Sequence, residues 1–452
     1  MKLPFLADLP AEHVIAFGKD GTISVGQLLA DIHELAQQLP QRRYMLNDCA
    51  DRYHFIVGLG AALLREQVSL FPGNRVAHVW RQLQEDYPDS YCLTDQDDAP
   101  TVLEVMRYDA RGTEPGAGLG VPSFPESQLA AIAFTSGSTG RSKPFARYWG
   151  AFVREALTGG ASLGLSPETG GAIVATVPPQ HMYGFVASVM VPLQFGYAVS
   201  RERPFYPEDI RAAVESSPAE PILVITPVQL RACVMEKPVL PAIRFVLSSA
   251  APLPRSIAEE AEAAFRTRVY EYYGSTETGA IACRRQQDSE VWRTFEGVRV
   301  RPHADGYLVE ADYFEPPVVL NDVVEIVNPR EFRLLGRATD LVKIGGKRSS
   351  LFYLNQILQA IPGVVDGVFV MEPGVQAHEP RLSAFVVAPD LTRENILAAL
   401  RERLDDVFLP RRLRLVPALP RNGAGKIPRE QLATLIERAD GNGAVADSSA
   451  HG

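Results

Sequence analysis

The sequence has few cysteines and none of the patterns that indicate an oxidising compartment or a metal centre. Its 452 residues include four cysteines, Cys49, Cys92, Cys233 and Cys283, and no two of them form a CxxC pair. The eight histidines form no HExxH motif or cluster. Such wide spacing argues against a zinc site or a disulfide framework, and it favours a reduced, cytoplasmic setting.

Long apolar runs are also missing. None reaches the roughly 18 residues that a membrane-spanning helix needs, so we expect no membrane span. The first residues, MKLPFLADLPAEH, contain an aspartate and two prolines. They lack the apolar segment of a signal peptide, and we therefore expect none.

The chain has no excess of positive charge. It carries 45 Lys and Arg against 54 Asp and Glu, a formal net charge of -9. A nucleic-acid-binding protein is expected to present a basic footprint, and anionic lipid calls for a polybasic segment, so neither partner is predicted. Hydrophobic residues make up 46% and charged residues 22%, which is typical of a globular protein. The length predicts two or three domains.

Short strands and helices alternate over the first 290 residues. Apolar residues recur at helical spacing over 24–39, and apolar runs typical of buried strands occur at 172–177, 221–226 and 243–249. A further helical pattern spans 255–268. Because strands that alternate with helices form parallel sheets, we predict an α/β fold whose large N-terminal domain holds doubly wound sheets.

The pattern changes after about residue 290. Two hairpins are predicted, with turns at Asp305-Gly306 and Asn328-Pro329, and they form a β-rich subdomain. A Gly- and Pro-rich stretch at 111–124 is predicted to be a linker or surface loop. We predict a large N-terminal core over 1–337, a hinge at 338–340 and a small, mobile α+β C-terminal lid domain over 341–438. Residues 439–452 are small and polar and are predicted to be disordered.

The most informative segment is TSGSTGRSK, residues 135–143, which follows the apolar run LAAIAF. Glycines allow backbone N–H groups to converge on phosphate oxygens, while hydroxyl groups and a lysine add donors and charge. The segment matches neither GxxxxGK[ST] nor GxGxxG. An ordinary loop of similar composition is the alternative interpretation.

This loop resembles the phosphate loop of the adenylate-forming superfamily, which includes acyl-CoA synthetases, adenylation domains and luciferases. The family pattern is about TSG[ST]TGxPKG, and here Ser142 and Pro144 replace its Pro and Gly, which reshapes the loop exit. The resemblance implies ATP and Mg²⁺ as cofactors. It also implies nucleotide-binding residues in the loop, namely Thr135, Ser136, Gly137, Ser138, Thr139, Gly140 and Lys143.

Three later segments resemble family motifs in the same order: PPQHMYGF (178–185), SSAAPL (248–253) and YYGSTETG (272–279). The resemblance implies that Thr276 contacts the α-phosphate and that Glu277 binds Mg²⁺, which takes few carboxylates besides phosphate oxygens. Both are predicted to be catalytic. It implies further nucleotide-binding residues, namely Ala250, Ala251, Tyr272, Tyr273 and Gly274. It implies residues that bind the acid, namely His181, Gly184, Ser249, Ala250, Gly274 and Ser275.

The C-terminal part completes the series. Asp322 lies where the family binds ribose, and LGRATDLVKIGGK (335–347) resembles the inter-domain hinge motif. That motif implies that Arg337 and Lys343 bind the nucleotide, while the family's hinge acid falls at Thr339. LPRNGAGKIPREQL (419–432) resembles the motif with the mobile catalytic lysine, here Lys426. Taken one at a time, most such residues have only a structural role in proteins. Because six segments occur here in the order found in the family, membership of the family is the better interpretation.

The family implies activation of a carboxylic acid as its acyl-adenylate, followed by transfer to a thiol. The compact chain and short N-terminal region look similar to ligases of aryl-polyene and xanthomonadin-type pathways. That likeness implies a small aryl acid such as 4-hydroxybenzoate, and the phosphopantetheine thiol of an acyl carrier protein. Two basic clusters could steer an acidic carrier, Lys347-Arg348 and Arg411-Arg412-Arg414. The alternatives are an acyl- or aryl-CoA ligase, and a non-catalytic nucleotide-binding regulator.

Overall fold

The computed structural model describes most of the chain. The described residues are 1–72, 75, 77–99, 102–108, 118–135, 143–304, 306–337, 341–344, 347–372, 381–421, 427, 431 and 434. The α-helices are α1 (Val25–Gln38), α2 (Arg52–Leu64), α3 (Ala77–Asp86), α4 (Trp149–Ser162), α5 (Met182–Phe185), α6 (Val191–Phe195), α7 (Pro207–Glu215), α8 (Pro227–Glu236), α9 (Arg255–Phe265), α10 (Leu351–Gln359) and α11 (Arg393–Arg401). A π-helical turn, Val186–Met190, joins α5 to α6.

The first sheet has six strands in the order β10-β9-β5-β4-β6-β7, and only the β9–β10 pair is antiparallel. A small pair, β1 with β8, lies apart from it. In chain order, the strands up to residue 148 are β1 (Lys2–Pro4), β2 (Val14–Gly18), β3 (Gly21–Ser24), β4 (Tyr44–Asn47), β5 (Val68–Phe71), β6 (Ser90–Thr94), β7 (Glu104–Arg107), β8 (Ser123–Pro125), β9 (Leu129–Thr135) and β10 (Lys143–Tyr148). Of these, β2 and β3 belong to the second sheet.

The second sheet has eleven strands in the order β21-β22-β17-β16-β15-β14-β13-β11-β12-β2-β3. Its centre, from β2 to β15, is parallel, and antiparallel strands extend it on both sides. Its remaining strands are β11 (Ala172–Ala175), β12 (Ala198–Ser200), β13 (Pro221–Ile225), β14 (Phe245–Ser248), β15 (Val269–Ser275), β16 (Gly279–Arg284), β17 (Trp292–Thr294), β21 (Asp322–Asn328) and β22 (Glu331–Arg337).

Helices cover both faces of the large sheets, which explains why the central strands are continuous apolar runs. The main core lies where α1, α2 and α4 pack between the two sheets, and it includes Phe55, Trp149 and Phe185. A second core lies under α7, α8 and α9. The buried residues of α9 recur at helical spacing, as the sequence predicted. The predicted doubly wound arrangement is confirmed.

The β-rich part and the C-terminal lobe follow. β18 (Val298–His303), β19 (Gly306–Ala311) and β20 (Phe314–Leu320) form an antiparallel sheet, and β21 pairs with β22, so both predicted hairpins are confirmed. β23 (Leu341–Ile344) pairs with β24 (Lys347–Ser350). In the C-terminal lobe, β25 (Asp366–Glu372), β26 (Arg381–Val387) and β27 (Arg412–Leu415) form a sheet that packs with α10 and α11 around its own core. The predicted hinge and tail lie outside the described residues.

Strand order places two crevices. The order reverses at β4 in the first sheet and at β11 in the second, and ligands bind outside the carboxyl ends of strands at such switch points. The segments that follow β11, β14 and β15 are the three motif segments of the sequence. Within the described part of the chain, no helix is long and apolar enough to cross a membrane.

Candidate active site

The predicted phosphate loop joins two neighbouring antiparallel strands. Thr135, the last residue of β9, lies opposite Lys143, the first residue of β10. The loop itself, with the predicted Ser136, Gly137, Ser138, Thr139 and Gly140, lies outside the described residues. Lys143 is exposed, and Pro144 after it sits on an edge strand, where a residue without an N–H is tolerated. The two strands therefore hold the loop ends together at one edge of the first sheet.

The turn between β15 and β16 carries the predicted catalytic pair, and we call residues 275–280 the acid turn. The Ser275 hydroxyl accepts the Thr278 N–H at 3.2 Å, and the Thr278 hydroxyl accepts the Ser275 N–H at 3.1 Å. Thr276 and Glu277 are half-buried between them. The Glu277 carboxylate has no hydrogen bond or ion pair with any residue that the structure describes. Ser275, predicted to bind the acid, uses its hydroxyl to close this turn.

A buried ion pair holds the acid turn, and no motif or spacing predicted it. Arg147 of β10 donates to the Glu155 carboxylate of α4 at 2.5 Å, and the two side chains are 3% and 0% exposed. Arg147 also donates to the backbone carbonyl of Glu277 at 3.2 Å. The Glu155 carboxylate accepts the Ala280 N–H at 2.5 Å. Burial raises the pKa of Glu155 to about 7, although Arg147 and the Ala280 amide oppose it.

Two predicted site glycines are required by backbone packing. A Cβ on Gly274 would lie 2.0 Å from the Gly279 carbonyl oxygen, across the hairpin. A Cβ on Gly184 would lie 2.1 Å from the Pro178 carbonyl oxygen. Approach of a ligand is therefore not needed to explain either glycine.

Tyr272 and Tyr273 point to opposite faces of the sheet, because side chains alternate along a strand. Tyr273 donates its hydroxyl to Asp322 at 2.6 Å. Tyr272 is buried in the main core, where its ring meets Phe295 edge-on at 5.1 Å. Gly159 of α4 lies against the Tyr272 hydroxyl. This burial in the core gives no support to the predicted contact of Tyr272 with nucleotide, which stays a prediction.

The predicted ribose-binding residues converge. Asp322, the first residue of β21, lies opposite Arg337, the last residue of β22. Tyr273 reaches Asp322 from β15 through its hydroxyl, whereas the side chain of Arg337 lies outside the description. Lys343 lies in β23, and its side chain is outside the description, as are Thr339 and Lys426.

Four of the predicted acid-binding residues follow β11 and β14, namely His181, Gly184, Ser249 and Ala250. His181 caps α5, and its Nδ1 accepts the Tyr183 N–H at 3.3 Å. The Tyr183 hydroxyl donates to the Leu247 carbonyl at 2.5 Å, so it fastens α5 to β14 and is not available to a substrate. Ser249 donates to the Tyr272 carbonyl at 2.9 Å. Ala250 has φ +74°, a left-handed conformation that costs a residue with a Cβ about 1–2 kcal/mol.

Ala251 follows Ala250 and is half-buried in the same turn. Non-glycine residues held in this conformation cluster at binding and catalytic sites. The strained turn therefore lies where the sequence predicted contacts to both adenine and the acid.

The two sheets meet beside this site. Gln180 donates to the Cys49 carbonyl at 2.7 Å, which joins the segment after β11 to the carboxyl end of β4. Arg52, the first residue of α2, is fully buried between the sheets. Its guanidinium donates five hydrogen bonds, all to neutral oxygens, of Ala175, Val177, Ser188, Ser200 and Glu202. Arg52 was not among the predicted residues, because nothing in the neighbouring sequence distinguishes it from a surface residue.

The basic clusters that were predicted to steer a carrier protein are partly engaged within the C-terminal lobe. Lys347 forms an ion pair with Asp405. The Arg414 guanidinium lies 5.5 Å from the centre of the Phe385 ring. Arg411 and Arg412 are exposed.

A family model for AMP-binding enzymes matches residues 32–318. The chain belongs to this family of AMP-binding enzymes. It is 30% identical over 305 residues to a 4-coumarate–CoA ligase of Rhodobacter capsulatus, covering 66% of this chain and 74% of that one. It is 25% identical over 419 residues to a 2-succinylbenzoate–CoA ligase of Bacillus cereus, covering 84% of each.

A solved structure shares the fold. The O-succinylbenzoate CoA synthetase of Bacillus subtilis, in complex with ATP and magnesium ion, superposes with a TM-score of 0.81 at 18% identity. The match covers 96% of this chain and 100% of that chain. At this identity the likeness shows the fold alone.

These comparisons decide several predictions. The predicted superfamily, the fold class with a large N-terminal and a smaller C-terminal domain, and the class of AMP-forming acid–thiol ligase are confirmed. The preference for an acyl carrier protein as acceptor has no support, since the relatives are CoA ligases. The individual site residues remain predictions.

Proposed function

We propose that this protein uses ATP to activate an aromatic carboxylic acid as its acyl-adenylate and then transfers the acyl group to CoA. The observation that carries the proposal is the 30% identity over 305 residues to a ligase that joins 4-coumarate to CoA. A second relative acts on 2-succinylbenzoate, which also bears a ring. We therefore prefer CoA to a carrier protein, and an aryl acid to a plain fatty acid.

In the first half-reaction a carboxylate oxygen of the acid attacks the α-phosphorus of ATP and pyrophosphate leaves. Such a step needs positioning and charge neutralisation more than covalent help from the protein. We assign the pyrophosphate to the loop before Lys143 and the α-phosphate to Thr276. Asp322, already oriented by the Tyr273 hydroxyl, is assigned to the ribose together with Arg337.

Mg²⁺ fits the acid turn. Glu277 is half-buried, and its carboxylate is unpaired among the described residues, with the Thr276 hydroxyl next to it in sequence. Mg²⁺ binds through one or two carboxylates together with substrate phosphates. When bound, it would neutralise phosphate charge. Glu277 is the residue that we assign to hold it.

The acid is assigned to the turns after β11 and β14. His181, Ser249 and Ala250 line these turns, and neither 178–185 nor 248–253 contains an acidic residue that could bind an amino group. The absence of such a carboxylate favours an acid without an α-amino group. We take 4-hydroxybenzoate and 4-coumarate as the first candidates. Lys426 is assigned to the carboxylate and α-phosphate during adenylation, and the C-terminal domain is assigned to move afterwards.

The test is pyrophosphate release from Mg·ATP across a panel of aryl, fatty and amino acids, with the thioester identified by mass spectrometry. CoA and a phosphopantetheinylated carrier protein are offered in parallel. We expect release with an aryl acid and a CoA thioester as product. Exclusive loading of the carrier would overturn the choice of acceptor. If none of the acids in the panel causes pyrophosphate release, the result would instead indicate a non-catalytic nucleotide-binding regulator.

A further inference from the structure

The acid turn is held at both ends by one buried ion pair, which we call the brace (Arg147 and Glu155). Arg147 holds the Glu277 carbonyl, and Glu155 holds the Ala280 N–H. Gly279 leaves no room between the turn and the carboxylate, since a Cβ there would lie 2.3 Å from a Glu155 oxygen. The residues from Glu277 to Ala280 therefore rest directly on the brace.

Stability alone does not account for charges at this place. Removing two ions from water costs several kcal/mol for each, and apolar residues of similar volume often replace a buried ion pair without loss of stability. What a pair of apolar residues lacks is a donor for a carbonyl and an acceptor for an amide. The brace supplies both, at 3.2 Å from Arg147 to the Glu277 carbonyl and 2.5 Å from the Ala280 amide to Glu155, and each hydrogen bond involves an ionisable side chain.

We infer that Arg147 and Glu155 are positioning residues, which fix the acid turn so that the Glu277 carboxylate is presented toward the metal-bound phosphates of ATP. This inference rests on the proposed function for the identity of the ligand. Neither residue touches the substrate in this account. Arg147 also comes from β10, the strand that begins at Lys143, so the brace ties the position of the acid turn to the strand that leaves the phosphate loop.

Strand β10 connects Lys143 to the acid turn through Arg147. β10 carries Lys143 at its start and Arg147 four positions later on the same face, since side chains alternate along a strand. Any shift of β10 moves the Glu277 carbonyl with it through the Arg147 hydrogen bond. One short strand thus links Lys143 to Glu277, the two residues that the proposed function assigns to the phosphates and to Mg²⁺.

The experiment measures ATP binding by calorimetry with and without Mg²⁺, and amide hydrogen exchange of the unliganded protein over residues 276–280. Glu155→Gln keeps an oxygen for the Ala280 amide but removes the charge. Arg147→Lys keeps a charge but loses the fork that reaches Glu277. The matched control is Glu126→Gln, which breaks the 2.5 Å pair with Arg154, also on α4, away from the acid turn.

For both brace variants we expect the Kd for Mg·ATP to rise roughly 10- to 100-fold, the loss typical of a hydrogen bond to a charged group. The Kd for metal-free ATP should change less than about twofold, and exchange in the acid turn should quicken about tenfold or more. The control should change neither. Should Glu155→Gln not fold, Arg147→Lys decides the question alone.

The outcomes separate the two proposals. If the brace variants bind Mg·ATP with the same affinity as the wild type and show the same amide exchange, the positioning role is overturned. The proposed function is then left intact. An equal loss of affinity with and without Mg²⁺ would also overturn it, because a merely structural role predicts that result. Wild-type protein that binds no ATP would overturn the proposed function, while faster exchange in the variants would still support the brace.

Discussion

Two buried arginines serve this molecule in different ways. Arg52 lies between the two sheets and donates to five neutral oxygens. Arg147 lies under the acid turn and donates to a carboxylate and one carbonyl. Burial lowers the pKa of Arg52 to about 10, which leaves it charged at neutral pH.

The comparison shows what the partner of a buried charge determines. The neutral partners of Arg52 lie at the ends of β11 and β12 and, for Ser188, in the π-helical turn after β11, so this arginine ties α2 to the second sheet. The partner of Arg147 is an ion that itself holds the acid turn. Arg52 therefore belongs to the scaffold, whereas Arg147 belongs to the candidate site.

The largest expected effect tests whether Arg52 stabilises the scaffold. Arg52→Met leaves buried carbonyls at Ala175, Val177 and Ser200 without a donor, so we expect a loss of about 3–5 kcal/mol in the free energy of unfolding. Denaturant titration measures it. Arg65→Met, at the exposed end of the same helix, should change stability by less than about 0.5 kcal/mol. A loss below about 1 kcal/mol for Arg52→Met would contradict the scaffold role.

The next effect tests contact between the brace and the acid turn. Gly279 and Gly164 have nearly the same left-handed backbone, with φ +70° and +71°, but only Gly279 faces Glu155; space around Gly164 is open. Gly164→Ala should cost about 1–2 kcal/mol for backbone strain. Gly279→Ala should cost about 1–3 kcal/mol more because its Cβ displaces the carboxylate. Equal costs in chemical denaturation would show that the carboxylate does not confine the turn.

A smaller effect sharpens the account of Arg52. Ser188 accepts from the Arg52 Nε at 3.0 Å and is fully buried. Ser188→Ala should lower the free energy of unfolding by about 1–2 kcal/mol, because one buried donor loses its partner. Ser216, an exposed serine bonded only within its own helix turn, provides the control, and Ser216→Ala should stay within about 0.5 kcal/mol. Indistinguishable melting temperatures for the two variants would contradict this prediction.

The smallest expected effect concerns the candidate site, at the strained turn after β14 that contains Ala250. Ala250→Gly relieves a left-handed conformation, and after allowing for the greater freedom of glycine in the unfolded chain we expect a gain of about 0.5–1 kcal/mol. Ala251→Gly lacks this benefit and should lose about 0.5–1 kcal/mol. Thermal unfolding of both proteins measures the difference. A loss in both would show that the Ala250 conformation carries no strain.

Much of the fold was readable from local patterns. Apolar runs predicted β11, β13 and β14, the spacing of apolar residues predicted α1 and α9, and turn residues predicted the β18–β19 and β21–β22 hairpins. These features depend on neighbours in sequence, so the sequence displays them. The order of strands within the sheets is different, because it depends on contacts between segments that lie far apart.

The candidate site divides in the same way. Tyr273 and Asp322, which the motifs predicted separately, lie within one hydrogen bond of each other, and their roles toward the nucleotide stay predictions. The burial of Tyr272 was missed, although strand alternation could have shown that adjacent tyrosines must face opposite ways. The brace could not be found, because its two residues lie on different elements and match no spacing rule.

By itself the sequence determined the family, the kind of chemistry and the order of the segments that carry it, because phosphate loops and metal-binding turns need particular residues close together in the chain. Only the tertiary structure decided which charges are buried and what they hold. Desolvation is a property of position, so Arg52, Arg147 and Glu155 look like ordinary surface residues until packing removes them from water.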